Sequence, residues 1–230
     1  SRQSSAKNIL LQSGQICAAH STAFQSGKRT EVSRIWEKNM ETSVISKAEV
    51  RRRVLDRRKK LSPAESRTWD EAILQNVKSL ITEGKQTVYT YISVRGEADT
   101  EKIIDWYLQC GFRVAVPRVI GKEIYFFYIR GMQDLEPGSF QIPEPLLSCE
   151  KAVCPDAPVL LPGVGFSRDG WRVGYGAGFY DRFLSREPEH DTIGLAYDFQ
   201  IFSSISHWHL DRPVRRIVTP SGIIACTGAM

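Results

Sequence analysis

The sequence has 230 residues, enough for one ordinary domain, and its 42% hydrophobic and 25% charged residues are typical of a globular protein. No apolar run approaches the roughly 18 residues that a membrane-spanning helix needs, so we expect no membrane partner. The five cysteines contain no C-x-x-C pair, which argues against a disulfide framework and a structural zinc site and fits a reducing compartment. A net charge of +5 suits a small anionic substrate at least as well as a nucleic acid.

The first segment differs in composition from the rest of the chain. Residues 1–30 contain four basic residues but no aspartate or glutamate, and they are rich in serine, glutamine and alanine. This composition is typical of an organelle transit peptide, although a disordered tail or a cloning remnant would show it too. We therefore expect an extension over residues 1–45, a folded domain over residues 46–230, and a location in the mitochondrial matrix, with the cytoplasm as the alternative.

Two helices are predicted to open the folded domain. Ser46 and Glu49 have the spacing of a capping box, and Ser62 and Glu65 repeat it with Pro63 at the first helical position. Apolar residues then recur at helical spacing, which gives each helix one buried face. These residues are Val50, Val54 and Leu61 in the first helix and Trp69, Ile73, Val77 and Leu80 in the second.

Strands and helices alternate through the remainder. Strands are predicted at residues 87–93, 112–117, 123–129, 158–163, 192–197 and 216–225, and helices at residues 100–110 and from Phe179 to about Arg186. In the helix at 100–110, Ile103, Ile104, Tyr107 and Leu108 are expected to face inward. The alternation predicts an α/β fold: a single three-layer domain with a largely parallel central sheet and helices on both faces.

A glycine-rich segment stands between the strand at 158–163 and the helix that begins near Phe179. It contains Gly163, Gly165, Gly170, Gly174, Gly176 and Gly178. Glycine is favoured where φ is positive or where the backbone approaches another group closely. The sequence GYGAG before a helix start can present backbone N–H groups to an anion. Its spacing fits neither a P-loop nor a dinucleotide-binding motif, and a flexible surface loop is the alternative.

The first predicted helix is strongly basic. Lys47 and Arg51 are four residues apart, so they share a face and could meet an anion together. A solvated basic face is the alternative, and we assign it to Arg52, Arg53, Arg57, Arg58, Lys59 and Lys60. A basic helix could also bind RNA, but the sequence contains no RNP motif, zinc finger or repeated aromatic and basic pattern.

Three acidic residues are candidates for a site. Glu97 lies between a strand and a helix, where it is either a ligand contact at the strand's carboxyl edge or a helix-entry acid. Asp181 and Asp211 could bind Mg²⁺ beside phosphate, or form surface ion pairs with their neighbours Arg182 and Arg212. The i, i+2 pair of His207 and His209 has no third ligand nearby in the sequence, which argues against zinc.

Taken together, these segments resemble the 5-formyltetrahydrofolate cyclo-ligases, also called 5,10-methenyltetrahydrofolate synthetases. The family hallmark PGxxFxxxGxRxGxGxGYYDR is matched by Pro162, Gly163, Phe166, Gly170, Arg172, Gly174, Gly176, Gly178, Tyr180, Asp181 and Arg182, with Phe179 in place of the first tyrosine. Supporting matches are Lys47, Arg51, Ser62, the sequences GEADT and IPEP, and the acid Asp211 before IVT. The resemblance covers residues 46–219.

The resemblance implies an enzyme that uses ATP and Mg²⁺ to close 5-formyltetrahydrofolate into 5,10-methenyltetrahydrofolate, with release of ADP and phosphate. It implies small-molecule partners, and we also expect a monomer and no nucleic acid. Arg172 and Tyr180 are implied as catalytic residues and Asp181 and Asp211 as metal ligands, with Ile92, Glu97 and Tyr175 around the folate. The implied ATP contacts are Lys47, Arg51, Arg172, Val173, Gly174, Tyr175, Gly176, Ala177, Gly178, Phe179 and Tyr180.

Two positions depart from the family pattern. Arg215 stands where relatives usually have a second acid, four residues after Asp211, and Ala177 stands where they often have glycine or lysine. The first departure leaves the metal site to Asp181, Asp211 and water. It also keeps an alternative open, in which the chain binds folate or nucleotide with weak or altered activity.

Overall fold

The computed structural model of the protein describes residues 44–80 and 86–228. The prediction of an extension over residues 1–45 falls outside this range except for Val44 and Ile45. Ile45 pairs with Ile205 in a parallel bridge, and residues from Val44 onward form one compact unit. No helix in the described ranges is long and apolar enough to cross a membrane.

Four helices and twelve strands organise this unit among the described residues. The helices are α1 (Lys47–Arg58), α2 (Pro63–Lys78), α3 (Glu101–Gln109) and α4 (Phe179–Arg186). The strands are β1 (Thr87–Tyr89), β2 (Arg113–Ile120), β3 (Glu123–Ile129), β4 (Leu135–Pro137), β5 (Pro143–Pro145), β6 (Pro158–Leu161), β7 (Gly165–Ser167), β8 (Arg172–Val173), β9 (Asp191–Leu195), β10 (Ile201–Phe202), β11 (Arg216–Thr219) and β12 (Gly222–Ala225).

The α/β fold with a largely parallel sheet is confirmed. The main sheet has seven strands in the order β12-β11-β9-β6-β1-β2-β3, and only the two edge pairs, β11 with β12 and β2 with β3, are antiparallel. Val88 and Tyr89 of β1 point to opposite faces and belong to separate core clusters. Helices α2 and α3 cover the face of Val88, and α4 covers the face of Tyr89.

The two N-terminal caps differ from each other. Ser62 and Glu65 form the complete capping box that their spacing predicts. Ser46 accepts a hydrogen bond from the backbone of Glu49 at 3.2 Å, but the Glu49 carboxylate accepts from Arg52 and Arg53 instead of returning to the cap. Two nearby guanidinium groups therefore leave the first helix with only half of a capping box.

Three strand predictions need correction. The strand predicted at 87–93 ends at Tyr89, because the Thr100 hydroxyl then bonds the Tyr91 carbonyl and the Ser93 N–H in place of a neighbouring strand. Residues 216–225 form two antiparallel strands with a turn at 220–221. The small sheets β10-β7-β8 and β4-β5 were not predicted, since their strands have only two or three residues.

The fold brings the candidate segments to one edge of the sheet. β1, β6 and β9 run parallel and adjacent, so the loops that follow β1 and β6 leave the sheet side by side. The first loop carries Glu97 and the second is the glycine-rich segment. Ligands bind at this carboxyl edge in open α/β sheets.

Candidate active site

A cavity of about 840 Å³ lies at this edge of the sheet. It is lined by most of the residues that the sequence suggested: Lys47, Arg51, Ile92, Glu97, Arg172, Gly174, Tyr175, Gly176, Ala177, Gly178, Phe179, Tyr180, Asp181 and Asp211. Val173 is the exception, because it is fully buried in a core cluster with Val50 and Val54. Val173 can therefore contribute only its backbone to the cavity.

Arg172 is buried in the cavity wall beside an acid. Its Nη2 lies 3.1 Å from Oδ1 of Asp181, and its guanidinium carbon lies 5.5 Å from the centre of the Tyr180 ring. Arg172 Nε is buried and has no hydrogen-bond acceptor among the described residues. A buried donor without an acceptor is costly, so this atom fits a site that receives an anionic ligand.

The acid Asp181 does not form the surface pair with Arg182 that was the alternative interpretation. Asp181 accepts from Arg172 and, at 3.4 Å, from the backbone N–H of Arg212, both through Oδ1. Arg182 instead pairs with Glu123 at 3.3 Å and donates to the carbonyl of Lys122. Asp181 is thus directed into the cavity.

Helix α1 contributes two cations to the other side of the cavity. Lys47 Nζ lies 2.5 Å from Oδ2 of Asp211, which also accepts from the backbone N–H of Trp208. Arg51 Nε donates to the carbonyl of Gly174 at 2.9 Å. The alternative interpretation of Asp211 as a surface partner of Arg212 is therefore also wrong. Through Lys47 and Arg51, α1 contacts both Asp211 and the glycine loop.

The glycine loop has the conformation that an anion site needs. Gly176 has φ of 111° and Gly178, the residue before α4, has φ of 69°, values that side chains disfavour. The backbone N–H groups of residues 174–178 donate to no acceptor in the described ranges. Together with the free N–H groups at the start of α4, they present donors and a positive helix end to the cavity.

Glu97 faces the cavity, and another residue acts as the helix-entry acid. Asp99 Oδ1 accepts from the N–H of Glu101 at 3.0 Å, whereas Glu97 is buried and accepts from the N–H of Val94 at 3.1 Å. Burial raises the pKa of the Glu97 carboxyl, and the Val94 N–H and the positive charge of Arg58 oppose this shift. A buried carboxylate with a raised pKa at a cavity wall is typical of a ligand contact.

Two tyrosines lie near this carboxyl group. Burial, and next the charge of Glu97, raise the pKa of both Tyr175 and Tyr180 above the usual value. Both phenols are therefore neutral at physiological pH and can donate hydrogen bonds. Ile92 is buried and provides an apolar wall nearby.

Some cavity residues were not predicted as site residues. Phe140, Ile142 and Glu144, from the segment around β5, line the cavity, and Phe140 has a positive φ of 57°. The matching sequence IPEP was the available signal, but its role was not apparent without the contact between the Phe140 and Phe179 rings, 6.0 Å apart.

Arg58 was assigned to a solvated basic face, and that assignment is wrong. Its side chain is buried, and it donates to the Tyr175 hydroxyl and the Gly163 carbonyl, each at 2.9 Å. The sequence RRKK gave no means to separate Arg58 from its neighbours, because both contacts come from residues more than 100 positions away.

The oxygen ligands available suit a hard cation. Asp181 and Asp211 both line the cavity, and each uses a single carboxylate oxygen for its contacts with the described residues. Mg²⁺ is usually held by one or two carboxylates with phosphate oxygens and water. No cluster of three or more metal-ligating side chains occurs in the described ranges, and His207 instead stacks on Trp171 with ring centres 3.6 Å apart.

Comparison with known proteins places the chain in a family. Residues 43–220 match the model of the 5-formyltetrahydrofolate cyclo-ligase family. The chain belongs to this family. The resemblance stated from the hallmark sequence is thereby confirmed, and with it the prediction of an enzyme.

Individual relatives agree with this assignment. A 5-formyltetrahydrofolate cyclo-ligase of Escherichia coli is 30% identical over 145 residues, which cover 60% of this chain and 79% of the relative. A mitochondrial 5-formyltetrahydrofolate cyclo-ligase of Arabidopsis thaliana is 29% identical over 83% of this chain and 80% of the relative. The NMR structure of Aquifex aeolicus 5,10-methenyltetrahydrofolate synthetase superimposes with a TM-score of 0.69 at 33% identity, covering 78% and 92% of the two chains.

Proposed function

We propose that the cavity binds ATP and 5-formyltetrahydrofolate together and converts the folate to 5,10-methenyltetrahydrofolate, with release of ADP and phosphate. Two features of the cavity support this proposal beyond family membership. The lining contains cations and free backbone N–H groups, which form its cationic end, and apolar residues with the buried carboxyl groups of Glu97 and Glu144, which form its apolar end. The observation that carries the proposal is the buried Arg172 between these ends, with Nε lacking an acceptor among the described residues.

The cationic end is suited to the triphosphate. The N–H groups of residues 174–178 and the start of α4 can bind phosphate oxygens, and Lys47 and Arg51 add positive charge. Asp181 and Asp211 would hold Mg²⁺, and Arg215, which is exposed, does not line the cavity. When bound, the metal neutralises phosphate charge during transfer.

The apolar end is suited to the pterin. A carboxylate such as Glu97 can accept two N–H groups from the edge of a pterin ring, and Ile92 can pack against the ring face. Tyr175 belongs to the glycine loop and its hydroxyl interacts with Glu97, so it can contact both substrates.

The chemistry follows from the need to activate a poor electrophile. The formyl oxygen attacks the γ-phosphorus of ATP, the bond to ADP breaks, and the formyl carbon becomes bound to a phosphate ester. N10 of the folate then attacks that carbon, its proton leaves, and phosphate departs as the C–O bond breaks. In this proposal Arg172 stabilises the charge on the transferring phosphoryl group, and the ring of Tyr180, next to the guanidinium, helps to position it.

Binding and turnover measurements test the proposal. Calorimetry should show that 5-formyltetrahydrofolate still binds when the protein is saturated with Mg·ATP, and the absorbance of methenyltetrahydrofolate should rise only when both are present. An Arg172→Lys variant should bind both substrates but turn over at least about a hundredfold more slowly, since a single ammonium cannot replace a positioned guanidinium. Unchanged turnover in this variant would contradict the role of Arg172.

We also propose a mitochondrial location and a monomeric state. Residues 1–30 have the composition of a transit peptide, and the Arabidopsis relative is named as mitochondrial. Fusion of residues 1–45 to a fluorescent protein tests the location, and cytoplasmic fluorescence would contradict it. Light scattering of the purified protein tests the oligomeric state.

A further inference from the structure

Arg58 is the last residue of α1 and lies beneath the cavity without lining it. Its Nη1 donates to the Tyr175 hydroxyl and its Nη2 to the Gly163 carbonyl, both at 2.9 Å. Its Nε is buried and finds no acceptor in the described part of the chain. A buried guanidinium is costly to desolvate, so its surroundings must hold it firmly.

The aliphatic part of Arg58 supports the turn that carries Glu97. Gly96 has φ of 70°, and the position of a Cβ atom there would lie 3.7 to 3.9 Å from Cβ, Cγ and Cδ of Arg58. The turn at residues 95–96 therefore packs directly on the arginine stem. One side chain thus touches the loop after β1 and, through Gly163 and Tyr175, the loop after β6.

The charge of Arg58 acts on the same group. The pKa of Glu97 is raised by burial, and Arg58 is the largest opposing charge. The other titratable groups that act on this carboxyl or respond to its charge are Arg95 on its own turn, Tyr91 after β1, Tyr175 in the glycine loop and Tyr180 in α4. Because Arg58 donates to the Tyr175 oxygen, the tyrosine proton remains free to be donated to Glu97.

We propose that Arg58 is a positioning residue that couples the Glu97 carboxylate to the glycine loop through the Tyr175 hydroxyl. It sets the orientation of Tyr175 and opposes protonation of Glu97, so that both loops reach their binding conformation together. This role rests on the proposed function of Glu97 and Tyr175 as folate contacts.

The test compares Arg58→Met with Arg57→Met. Arg57 is adjacent in the same helix and pairs with Glu65 at 3.6 Å, with 41% of its side chain exposed, so both variants lose one positive charge. We expect Arg58→Met to raise KM for 5-formyltetrahydrofolate at least about tenfold and to move the acid limb of kcat/KM for folate to higher pH. Arg58→Lys should recover part of both effects, and Arg57→Met should remain within twofold of wild type.

A purely structural role would lower the amount of folded enzyme without moving the pH limb. A folded Arg58→Met with wild-type folate KM and pH profile would therefore overturn the proposal.

A second measurement applies if Arg58→Met does not fold. Tyr175→Phe is then introduced alone and together with Arg58→Lys. If Arg58 acts through Tyr175, the lysine substitution should have little further effect on folate KM once the hydroxyl is absent. Independent effects of the two substitutions would overturn the proposal. Turnover of the wild-type enzyme is measured in parallel. If the wild type forms no product, the proposed function itself is contradicted. If the wild type turns over and the variant is unaffected, only the coupling by Arg58 is contradicted.

Discussion

Lys47 and Asp211 bind each other across 164 positions of sequence, with Nζ and Oδ2 2.5 Å apart and both side chains mostly buried. The resemblance implies that the lysine binds phosphate and that the aspartate binds the metal. In this structure the two side chains bind each other instead. In the proposed site, Mg²⁺ would compete with the ammonium of Lys47 for Asp211, and the released ammonium would be available to the phosphates of ATP.

This competition predicts opposite effects of Lys47→Met on two ligands. Without the ammonium, Asp211 no longer pairs with a cation, so Mg²⁺ alone should bind severalfold more tightly. ATP should bind at least about tenfold more weakly, because a charge-assisted contact with phosphate is lost. Calorimetry with each ligand measures both effects, and equal weakening of Mg²⁺ and ATP binding would show that the ion pair only stabilises the fold.

Arg51 and Arg53 offer a matched comparison on α1. Arg51 reaches the carbonyl of Gly174 in the cavity, whereas Arg53 pairs with Glu49 and has 59% of its side chain exposed. Arg51→Ala should raise KM for ATP at least about tenfold, which corresponds to roughly 1.4 kcal/mol. Arg53→Ala removes the same charge and should leave it nearly unchanged. Equal effects would mean that α1 acts only through its general positive charge.

Asp181→Asn should keep the fold and weaken the use of Mg²⁺. A neutral amide cannot balance the metal charge, so the Mg²⁺ concentration for half-maximal turnover should rise at least about tenfold. Asp56→Asn is the control, since Asp56 is 53% exposed and pairs only with Lys59 among the described residues. The measurement is the turnover rate at increasing Mg²⁺ concentration. An unchanged half-maximal Mg²⁺ concentration in Asp181→Asn would show that this residue does not bind the metal.

The carboxyl group of Glu97 should make KM for folate depend on pH in the acid range. Its pKa is raised by burial, so the group takes up a proton at a higher pH than an ordinary glutamate and then cannot accept two N–H groups. KM for folate should therefore rise as the pH falls through this raised pKa. Glu97→Gln should show a high KM with no acid limb, and a limb that persists in this variant would assign it to another group.

The same pKa direction has a consequence for stability. The folded protein holds the Glu97 proton more tightly than the unfolded chain does, so its contribution to the free energy of unfolding is full below the ordinary pKa of glutamate. That contribution is lost as the pH rises through the raised pKa. Ligand binding and stability thus change in opposite directions with pH at this residue.

Elements with a periodic pattern of apolar residues, such as the helices, could be predicted from the sequence. Helix α4 begins and ends at the predicted Phe179 and Arg186, and Ile73 and Val77 of α2 are buried as their spacing indicates. Asp181 was recognised through the family hallmark, and Lys47 and Arg51 through their shared helix face and the supporting matches in the first helix; the structure brings all three to one cavity.

What was missed depends on contacts between distant segments. Arg58 is distinguished from Arg57 only by a rotation of one residue around α1, which turns it beneath Gly163 and Tyr175. Strand β1 stops early because the hydroxyl of Thr100 replaces a strand partner. Neither event leaves a periodic pattern in the sequence, since each requires a particular side chain to arrive from elsewhere in the fold.

The proposed reaction requires that one cavity couple ATP cleavage to closure of the folate ring. The most direct test measures ADP and 5,10-methenyltetrahydrofolate in the same reaction, with purified protein, Mg²⁺, ATP and 5-formyltetrahydrofolate. We predict that the two products form in equal amounts, and that omission of either substrate abolishes both. ATP cleavage without ring closure, or binding of 5-formyltetrahydrofolate without any product, would contradict the claim and indicate a relative that has kept the fold and lost the reaction.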